Sequence, residues 1–215
     1  MEFQKRSNRA IAIAWRKAWS NRVFRIKTIV ATISFLSILI AFPFFFSVIE
    51  KRQGTLLHDP LLAILPAIDV SVITFITIWS MIILFIVRCI QDPTIFIVSF
   101  WSMILLFLPR MVTLSLFPLE PPIGLIPLVD PLASIFYGGP HVFMTKDLFY
   151  SGHTSTQFMI FLCLPKKIDK RLALASAILI GAFVLIQHVH YSIDVIGAFV
   201  FPYFVYLLGK RVAKY

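Results

Sequence analysis

The sequence predicts an all-α integral membrane protein built as a bundle of six transmembrane helices. Hydrophobic residues make up 59% of its 215 residues and charged residues only 14%, and the mean hydropathy is +0.89. That composition leaves too little polar surface for a water-soluble domain of this size. Uncharged runs recur along the chain, and its basic residues cluster on one side when these runs alternate across a bilayer.

Six apolar runs approach the roughly 20 residues that a helix needs to cross a bilayer. The first three are free of charge over 22, 18 and 17 residues, and three shorter runs follow. In chain order the six are 28–49, 70–87, 93–109, 148–164, 172–187 and 195–209. No internal repeat divides them, so we expect residues 28–215 to form one membrane domain.

The distribution of Lys and Arg predicts the orientation of the helices. With the N-terminus in the cytoplasm, sixteen of the twenty basic residues fall on the cytoplasmic side. The positive-inside rule therefore places both termini there. Topology and attraction to anionic lipid headgroups explain the basic excess, so nucleic acid is not an expected partner. The four basic residues left on the opposite side are Lys51, Arg52, Arg110 and Lys146.

Residues 1–27 form a basic segment that precedes the first apolar run. They carry eight basic residues, and Ile11, Trp15, Trp19 and Val23 recur every four positions. This period is typical of an amphipathic helix lying on the cytoplasmic membrane surface. A basic flank that only fixes the orientation of the chain explains the same composition equally well.

The segment 117–146 is the long connection between the third and fourth apolar runs. It is rich in proline and in apolar residues. Connections of this length inside compact proteins are usually functional or disordered, and the apolar content argues against disorder. We expect this segment to pack over the non-cytoplasmic ends of the helices, in part as a re-entrant segment.

The predicted topology brings polar residues from distant parts of the chain to one membrane level. His153 lies in the first turn of the fourth helix, and His188, His190 and Asp194 lie where the fifth helix ends and the sixth begins. His190 and Asp194 are four residues apart, which is one turn if the backbone there is helical. The carboxylate can then bind one imidazole nitrogen and leave the other as a nucleophile or base.

The start of the fourth helix is a candidate anion site. We predict Ser151 as its N-cap, which leaves Gly152 and His153 in a first turn with unpaired backbone N–H groups. Arg110 and Lys146 fall near the same level and could neutralise a phosphate.

Two other roles are open for these polar residues. His188, His190 and Asp194 could ligate a metal, although histidines two residues apart point to opposite faces of a helix. Ionisable residues inside a membrane also mark proton relays in carriers. We expect neither a metal nor another cofactor.

Three motifs point to a known family. Residues 151–154 read SGHT, with Asp147 six positions before His153, and residues 188–194 read HVHYSID. Arg110 to Thr113 precede a proline-containing loop, and Gly138-Gly139 follow it. From the third helix onward, the chain resembles the sphingomyelin synthase family in its SGHT motif, its H-x-HYTID motif, its R-x-x-T segment and its glycine cluster. That family is a branch of the lipid phosphate phosphatase, or type 2 phosphatidic acid phosphatase, superfamily.

The resemblance implies a lipid phosphate phosphatase-like core that moves a phospho-headgroup between lipids. His190 would attack the phosphorus and form a phosphohistidine, with Asp194 orienting its ring. His153 would protonate the departing diacylglycerol oxygen and then activate the acceptor hydroxyl. Arg110, Lys146 and the helix start at Ser151 and Gly152 would hold the phosphate. Asp147 and Glu120 would support a histidine or a cationic headgroup, and His188 is a further candidate for a supporting or substrate-binding role.

The resemblance also implies the substrates and the side of the membrane. The donor would be a glycerophospholipid and the acceptor ceramide or a similar lipid alcohol, in an active site facing the exoplasm, a lumen or the periplasm. The chain departs from the family in its loop, which reads FPLEP over 117–121 where the family has leucine-proline-valine-proline. It also lacks the Lys-x6-Arg-Pro run and the Ser-Arg pair of the wider phosphatases, which favours the synthase branch.

Two alternative functions remain beside this transferase. One is a lipid phosphatase or phospholipase C-type hydrolase, in which water is the acceptor. The other is a non-enzymatic lipid carrier or scaffold. The headgroup, the membrane and the oligomeric state are not specified by the sequence.

Overall fold

The computed structural model describes residues 2–128 and 144–215, with side chains from Asn8 onward. Within these residues the chain is helical throughout, apart from loops and one isolated bridge between Thr55 and Leu119, which confirms the all-α prediction. The predicted glycine cluster, Gly138-Gly139, and any re-entrant part of 129–143 lie outside the described residues. The helices are α1 (Glu2–Ser20), α2 (Arg22–Lys51), α3 (Ser71–Gln91), α4 (Pro93–Leu116), α5 (Gly152–Cys163), α6 (Lys167–Ile186) and α7 (Ser192–Val212).

Four of these helices, α2, α3, α4 and α7, are long and apolar enough to cross a membrane. Their outward faces carry large apolar side chains, among them Ile40, Phe44 and Val72, which are 69%, 72% and 76% exposed. An apolar surface of this extent is unfavourable in water but suits contact with lipid tails. The chain is therefore a multi-pass membrane protein, as predicted.

The fourth predicted segment differs most from expectation. Residues 148–151 are not helical, and α5 covers only the 12 residues from Gly152 to Cys163. A helix of that length is about 18 Å long, against a hydrocarbon core of about 30 Å. Residues 147–151, which we call the polar stretch, are thus non-helical although the apolar run begins at 148, and α5 begins directly after the predicted N-cap, Ser151.

Contacts between helix ends fall into two groups, and these groups show that the helices from α2 to α7 run alternately up and down. One group joins Arg88 at the end of α3 to Asp169 at the start of α6, through an Nε–Oδ2 contact of 2.6 Å and an Nη2–Oδ1 contact of 3.1 Å. We call this the basic end of the bundle. At the opposite end, Arg52 after α2 donates to the Ser115 carbonyl of α4 at 2.9 Å. We call this second end the site end.

Helix α4 is central and packs against α2, α3, α5 and α7. Its approach to α7 is close, since a Cβ on Gly209 would lie 2.3 Å from the Ser102 Oγ. Small residues at a membrane helix contact allow backbones to approach in this way. Nearer the site end of α4, Arg110 is only 6% exposed.

Candidate active site

Asp194 joins the two polar motifs of the chain. Its fully buried carboxylate places Oδ2 3.2 Å from His190 Nδ1 and 3.1 Å from the Tyr191 amide nitrogen, which donates to it. The other oxygen, Oδ1, accepts the Phe149 amide hydrogen at 3.0 Å. A single carboxylate therefore positions the His190 ring and the segment that leads into α5.

The predicted contact between His190 and Asp194 is present, but the backbone between the two residues is not a continuous helical turn. Residues 187–191 are not helical, and α7 begins at Ser192. Tyr191 is the N-cap of α7, and Asp194 occupies the third helical position of a capping box. The four-residue spacing brings the groups together because Asp194 reaches back over the helix start.

The Asp194 contact also determines what His190 can do. A carboxylate at Nδ1 favours the tautomer with its hydrogen on Nδ1, so the lone pair lies on Nε2. The His190 side chain is almost fully buried and lines the cavity described below. The ring therefore offers one nitrogen for nucleophilic or base chemistry.

The segment from Asp147 to Ser151 is held from both sides in a strained conformation. Phe149 has φ of 60°, a left-handed value that costs a bulky L-residue about 1–3 kcal/mol. Its carbonyl accepts from Thr113 Oγ1 of α4 at 3.2 Å, and the Ser151 amide donates to the Asp194 carbonyl at 3.1 Å. These long-range bonds offset the strain and aim the chain into α5.

Ser151 is the N-cap of α5, as predicted. Its Oγ accepts from the Thr154 amide at 3.4 Å, and its own carbonyl begins the helix by accepting from Ser155 N at 3.0 Å. The first amides of a helix have no intrahelical acceptor, and the helix dipole favours negative charge there. The start of α5 therefore has the character of an anion site.

Arg110 lies directly against this helix start. Its guanidinium forms an ion pair with Asp147 and donates to the Tyr150 carbonyl. A Cβ on Gly152 would lie only 2.9 Å from Arg110 Nη2, so the glycine makes room for the guanidinium. Asp147 was predicted to support a histidine or a cationic headgroup, and the structure pairs it with Arg110.

One cavity of about 270 Å³ brings the polar groups together. Arg110, Asp147, Gly152, His153 and His190 all line it, together with Leu125, Pro127, Leu128, Met144 and Thr145 of the long connection. The remainder of its wall is mostly apolar. Typical wall residues from α2, α3 and α4 are Phe42, Phe46, Ile78, Ile82, Leu106 and Phe107.

Lys146 and Glu120, both predicted as supporting residues, bind each other outside this cavity. Lys146 Nζ lies 2.9 Å from Glu120 Oε1 and also donates to the Arg52 carbonyl. Glu120 additionally accepts from the Gly54 amide at 2.8 Å. The hydrogen bond from Lys146 lowers the pKa of Glu120 below its ordinary value. These contacts tie three loop segments together at the site end.

His188 also turns toward the loops rather than toward His190. Its φ is 55°, its Nδ1 lies 2.9 Å from the Ile123 carbonyl and its Nε2 lies 3.1 Å from the Leu65 carbonyl. Its ring links the connections before α3 and after α4. Among residues 2–128 and 144–215, no three His, Cys, Asp or Glu side chains are grouped closely enough to hold a metal ion.

Two acidic residues that position the site escaped sequence reasoning. Asp59 accepts from the Ser192 amide at 2.6 Å and from the Ser192 hydroxyl at 3.1 Å, so it caps α7. Burial raises the pKa of Asp59, but these hydrogen bonds outweigh burial and hold that pKa below its ordinary value. Glu50 accepts from Thr145 N at 3.2 Å. Neither contact has a sequence signal, because the partners lie 133 and 95 residues away.

The comparison with protein families matches the part of the chain that carries these motifs. Residues 145–211 match the family model described as PAP2 superfamily C-terminal. The match supports the type 2 phosphatidic acid phosphatase superfamily. The matched residues, which we call the PAP2-like segment, run from the loop before α5 through most of α7 and do not include α1 to α4. No curated protein and no solved structure matches the chain.

The substitution Gly152→Ala tests the contact between Arg110 and the first residue of α5. The new methyl group would press on a guanidinium that Asp147 and the Tyr150 carbonyl hold in place. We expect a loss of about 1–3 kcal/mol of stability, as for other overpacked sites. Thermal unfolding of the purified protein in detergent would measure it.

The double variant Gly152→Ala with Arg110→Lys provides the control. Lysine lacks the guanidinium carbon and its second amino group, so the double variant should lose less stability than the sum of the two single variants. Strictly additive losses would show that the guanidinium is not what Gly152 accommodates.

Proposed function

We propose that the protein is a membrane phospho-headgroup transferase of the sphingomyelin synthase type. The observation that carries this proposal is the pairing of His190 with Asp194 beside a cavity that His153 and Arg110 also line. The match of residues 145–211 to the PAP2 superfamily C-terminal model supports lipid phosphatase or phosphotransferase activity, and the motif resemblance supports the synthase branch.

In the first half-reaction, His190 Nε2 attacks the phosphorus of a glycerophospholipid. The new N–P bond forms as the P–O bond to diacylglycerol breaks, and His153 gives a proton to the departing oxygen. Asp194 stabilises the positive charge that develops on the His190 ring. Arg110 and the first turn of α5 stabilise the phosphoryl oxygens, since a guanidinium and a helix N-terminus both favour anions.

In the second half-reaction, His153 takes the proton of the acceptor hydroxyl. The acceptor oxygen then forms a P–O bond as the N–P bond breaks, which releases the phosphorylated lipid and restores His190. Both histidines end the cycle in their starting states and no oxidation state changes, so the reaction as written needs no redox partner and no step through a metal. The acceptor is ceramide or a similar lipid alcohol.

The wall of the cavity favours a lipid acceptor over water. Beside the polar groups of α5 and His190, Phe42, Phe46, Ile78 and Ile82 from α2 and α3 give the wall an apolar surface. An apolar surface binds a lipid alcohol and excludes water from the phosphohistidine. Hydrolysis with water as the acceptor is the second candidate, because both reactions share the first step.

We further propose that six helices span the membrane, with both termini in the cytoplasm and the site end facing the exoplasm, a lumen or the periplasm. The excess of Lys and Arg at the basic end supports this orientation. Helix α6 and the polar stretch with α5 would form the two spans beyond the four apolar helices.

Incubation with phospholipid labelled in its phosphate distinguishes the transferase from the hydrolase. With ceramide present, we expect a labelled phosphosphingolipid, and without ceramide we expect little turnover. His190→Gln, Asp194→Asn and His153→Ala should each lower the rate at least about a hundredfold. Thin-layer chromatography of the labelled lipids would measure both results.

Two matched variants control for the substitutions themselves. His58→Gln and Asp69→Asn make the same chemical changes at exposed loop positions and should leave the rate unchanged. Release of labelled headgroup phosphate without any new sphingolipid would show that the protein is a hydrolase and not a transferase. Full activity in His190→Gln would favour a carrier or scaffold.

Labelling with a membrane-impermeant maleimide tests the orientation. His58→Cys lies in the exposed loop after α2, at the site end, and Lys214→Cys lies beyond α7, at the basic end. In sealed vesicles with the cytoplasmic side inward, we expect labelling of His58→Cys before permeabilisation and of Lys214→Cys only afterwards. The reverse order would invert the proposed topology.

A further inference from the structure

One face of α4 continues from the polar site toward the basic end as an unbroken apolar stripe. Leu106, Phe107, Arg110, Met111 and Leu114 line the cavity of the site. The same face carries a second set toward the basic end, at intervals of three or four residues that keep side chains on one side of a helix. That second set is Phe96, Ser99, Phe100 and Met103.

This second set lines a separate cavity of about 380 Å³. Helix α3 contributes Phe85, Ile86, Cys89 and Ile90 to its wall, and Phe35 of α2 and Trp15 of α1 complete it. The wall is apolar except for one thiol and one hydroxyl. We call it the inner cavity, and the cavity of the site the outer cavity.

Both cavities lie in one cleft between α2 and α3. Each of these helices packs on α4, but among the described residues they do not pack extensively on each other. The cavities are one helical turn apart, since Met103 belongs to the inner one and Leu106 to the outer one. Phe35 lies between them, with its ring centroid 6.4 Å from that of Phe107 in the outer cavity and 5.4 Å from that of Phe100 in the inner one.

The length of the cleft matches a long lipid tail. From Arg110 to Phe96 the axis of α4 rises about 21 Å, whereas one leaflet of the hydrocarbon core is about 15 Å deep. A tail attached to a phosphate at Arg110 can therefore lie extended along the α4 stripe and end in the inner cavity.

We propose that the cleft along α4 is a binding site for one acyl chain of the lipid substrate, and that the inner cavity receives the end of a long chain. An acyl chain suits this site because the apolar wall lies within the spanning helices and continues directly into the phosphate-binding end. Chains too short to pass Phe35 fill only the outer cavity, so the cleft selects for chain length. This inference rests on the proposed function for the identity of the lipid.

Photolabelling tests the occupant without depending on turnover. The probes are two phosphatidic acid analogues in nanodiscs, one with a palmitoyl-length and one with an octanoyl-length chain, each with a diazirine at the chain end. We expect the long probe to label Phe85, Ile86 or Phe100 of the inner cavity. The short probe should label residues of the outer cavity, such as Phe42 or Phe107. Peptide mass spectrometry would locate the labels.

The variant Ile86→Trp blocks the inner cavity from a position that is 51% exposed, where the bundle can accept added bulk. It should reduce inner-cavity labelling by the long probe at least about fivefold, as expected for an overfilled site. Ile83→Trp is the matched control, since Ile83 lies on the same helix, is 61% exposed and lines neither cavity. Cys89→Phe fills the same cavity from a second position and should repeat the effect.

Labels spread over the lipid-facing residues of all helices, unaffected by Ile86→Trp, would overturn the proposal. If the inner cavity is labelled but no phosphotransfer is detected, the acyl-chain site is supported and the proposed enzymatic function is contradicted. If phosphotransfer is detected but the inner cavity is not labelled, the proposed enzymatic function is supported and the acyl-chain site is contradicted.

Discussion

The buried carboxylate of Asp194 is the interaction on which the arrangement of the site depends. It accepts from the amides of Tyr191 and Phe149 and contacts Nδ1 of His190. A buried carboxylate without such partners would be very unfavourable, so these groups and the carboxylate require one another. Because Phe149 leads into α5 and Tyr191 begins α7, one side chain aligns two helix starts and a histidine.

Helix α4 supplies the other half of this arrangement. Thr113 holds the strained Phe149 through its carbonyl, and one turn earlier Arg110 holds Asp147 and the Tyr150 carbonyl. The polar stretch before α5 therefore lies between α4 and α7, and the backbone groups of Phe149 and Ser151 and the Tyr150 carbonyl are paired although the stretch interrupts an apolar bundle. Such pairing is what allows non-helical backbone to persist at membrane depth. The shortness of α5 follows from the space that this stretch occupies.

Local sequence patterns predicted the features that depend on residues close together in the chain, namely the membrane helices and the N-cap of α5. Charge-free runs located the four helices that are long and apolar enough to cross a membrane, and Ser151 was identified as an N-cap from its place near the start of the fourth run. The contact of His190 with Asp194 was predicted from their spacing on the condition of a helical backbone, and the structure forms it through a capping box at the start of α7.

Contacts made across the fold could not be predicted in the same way. Asp147 and Lys146 each had several possible partners in the sequence, and only the packed structure assigns them to Arg110 and Glu120. The cap that Asp59 places on Ser192 joins segments 133 residues apart. The path of the chain into α5 depends on Phe149, whose left-handed backbone is held by partners on other helices.

The most direct test of this account is to isolate the covalent intermediate. The protein is incubated with phospholipid carrying radiolabelled phosphate, quenched in base and digested, and the labelled peptide is sequenced by mass spectrometry. The account predicts a base-stable, acid-labile phosphohistidine at His190, absent from the His190→Gln variant and discharged by ceramide in the native protein. Label at another residue, or release of diacylglycerol with no labelled histidine, would contradict it.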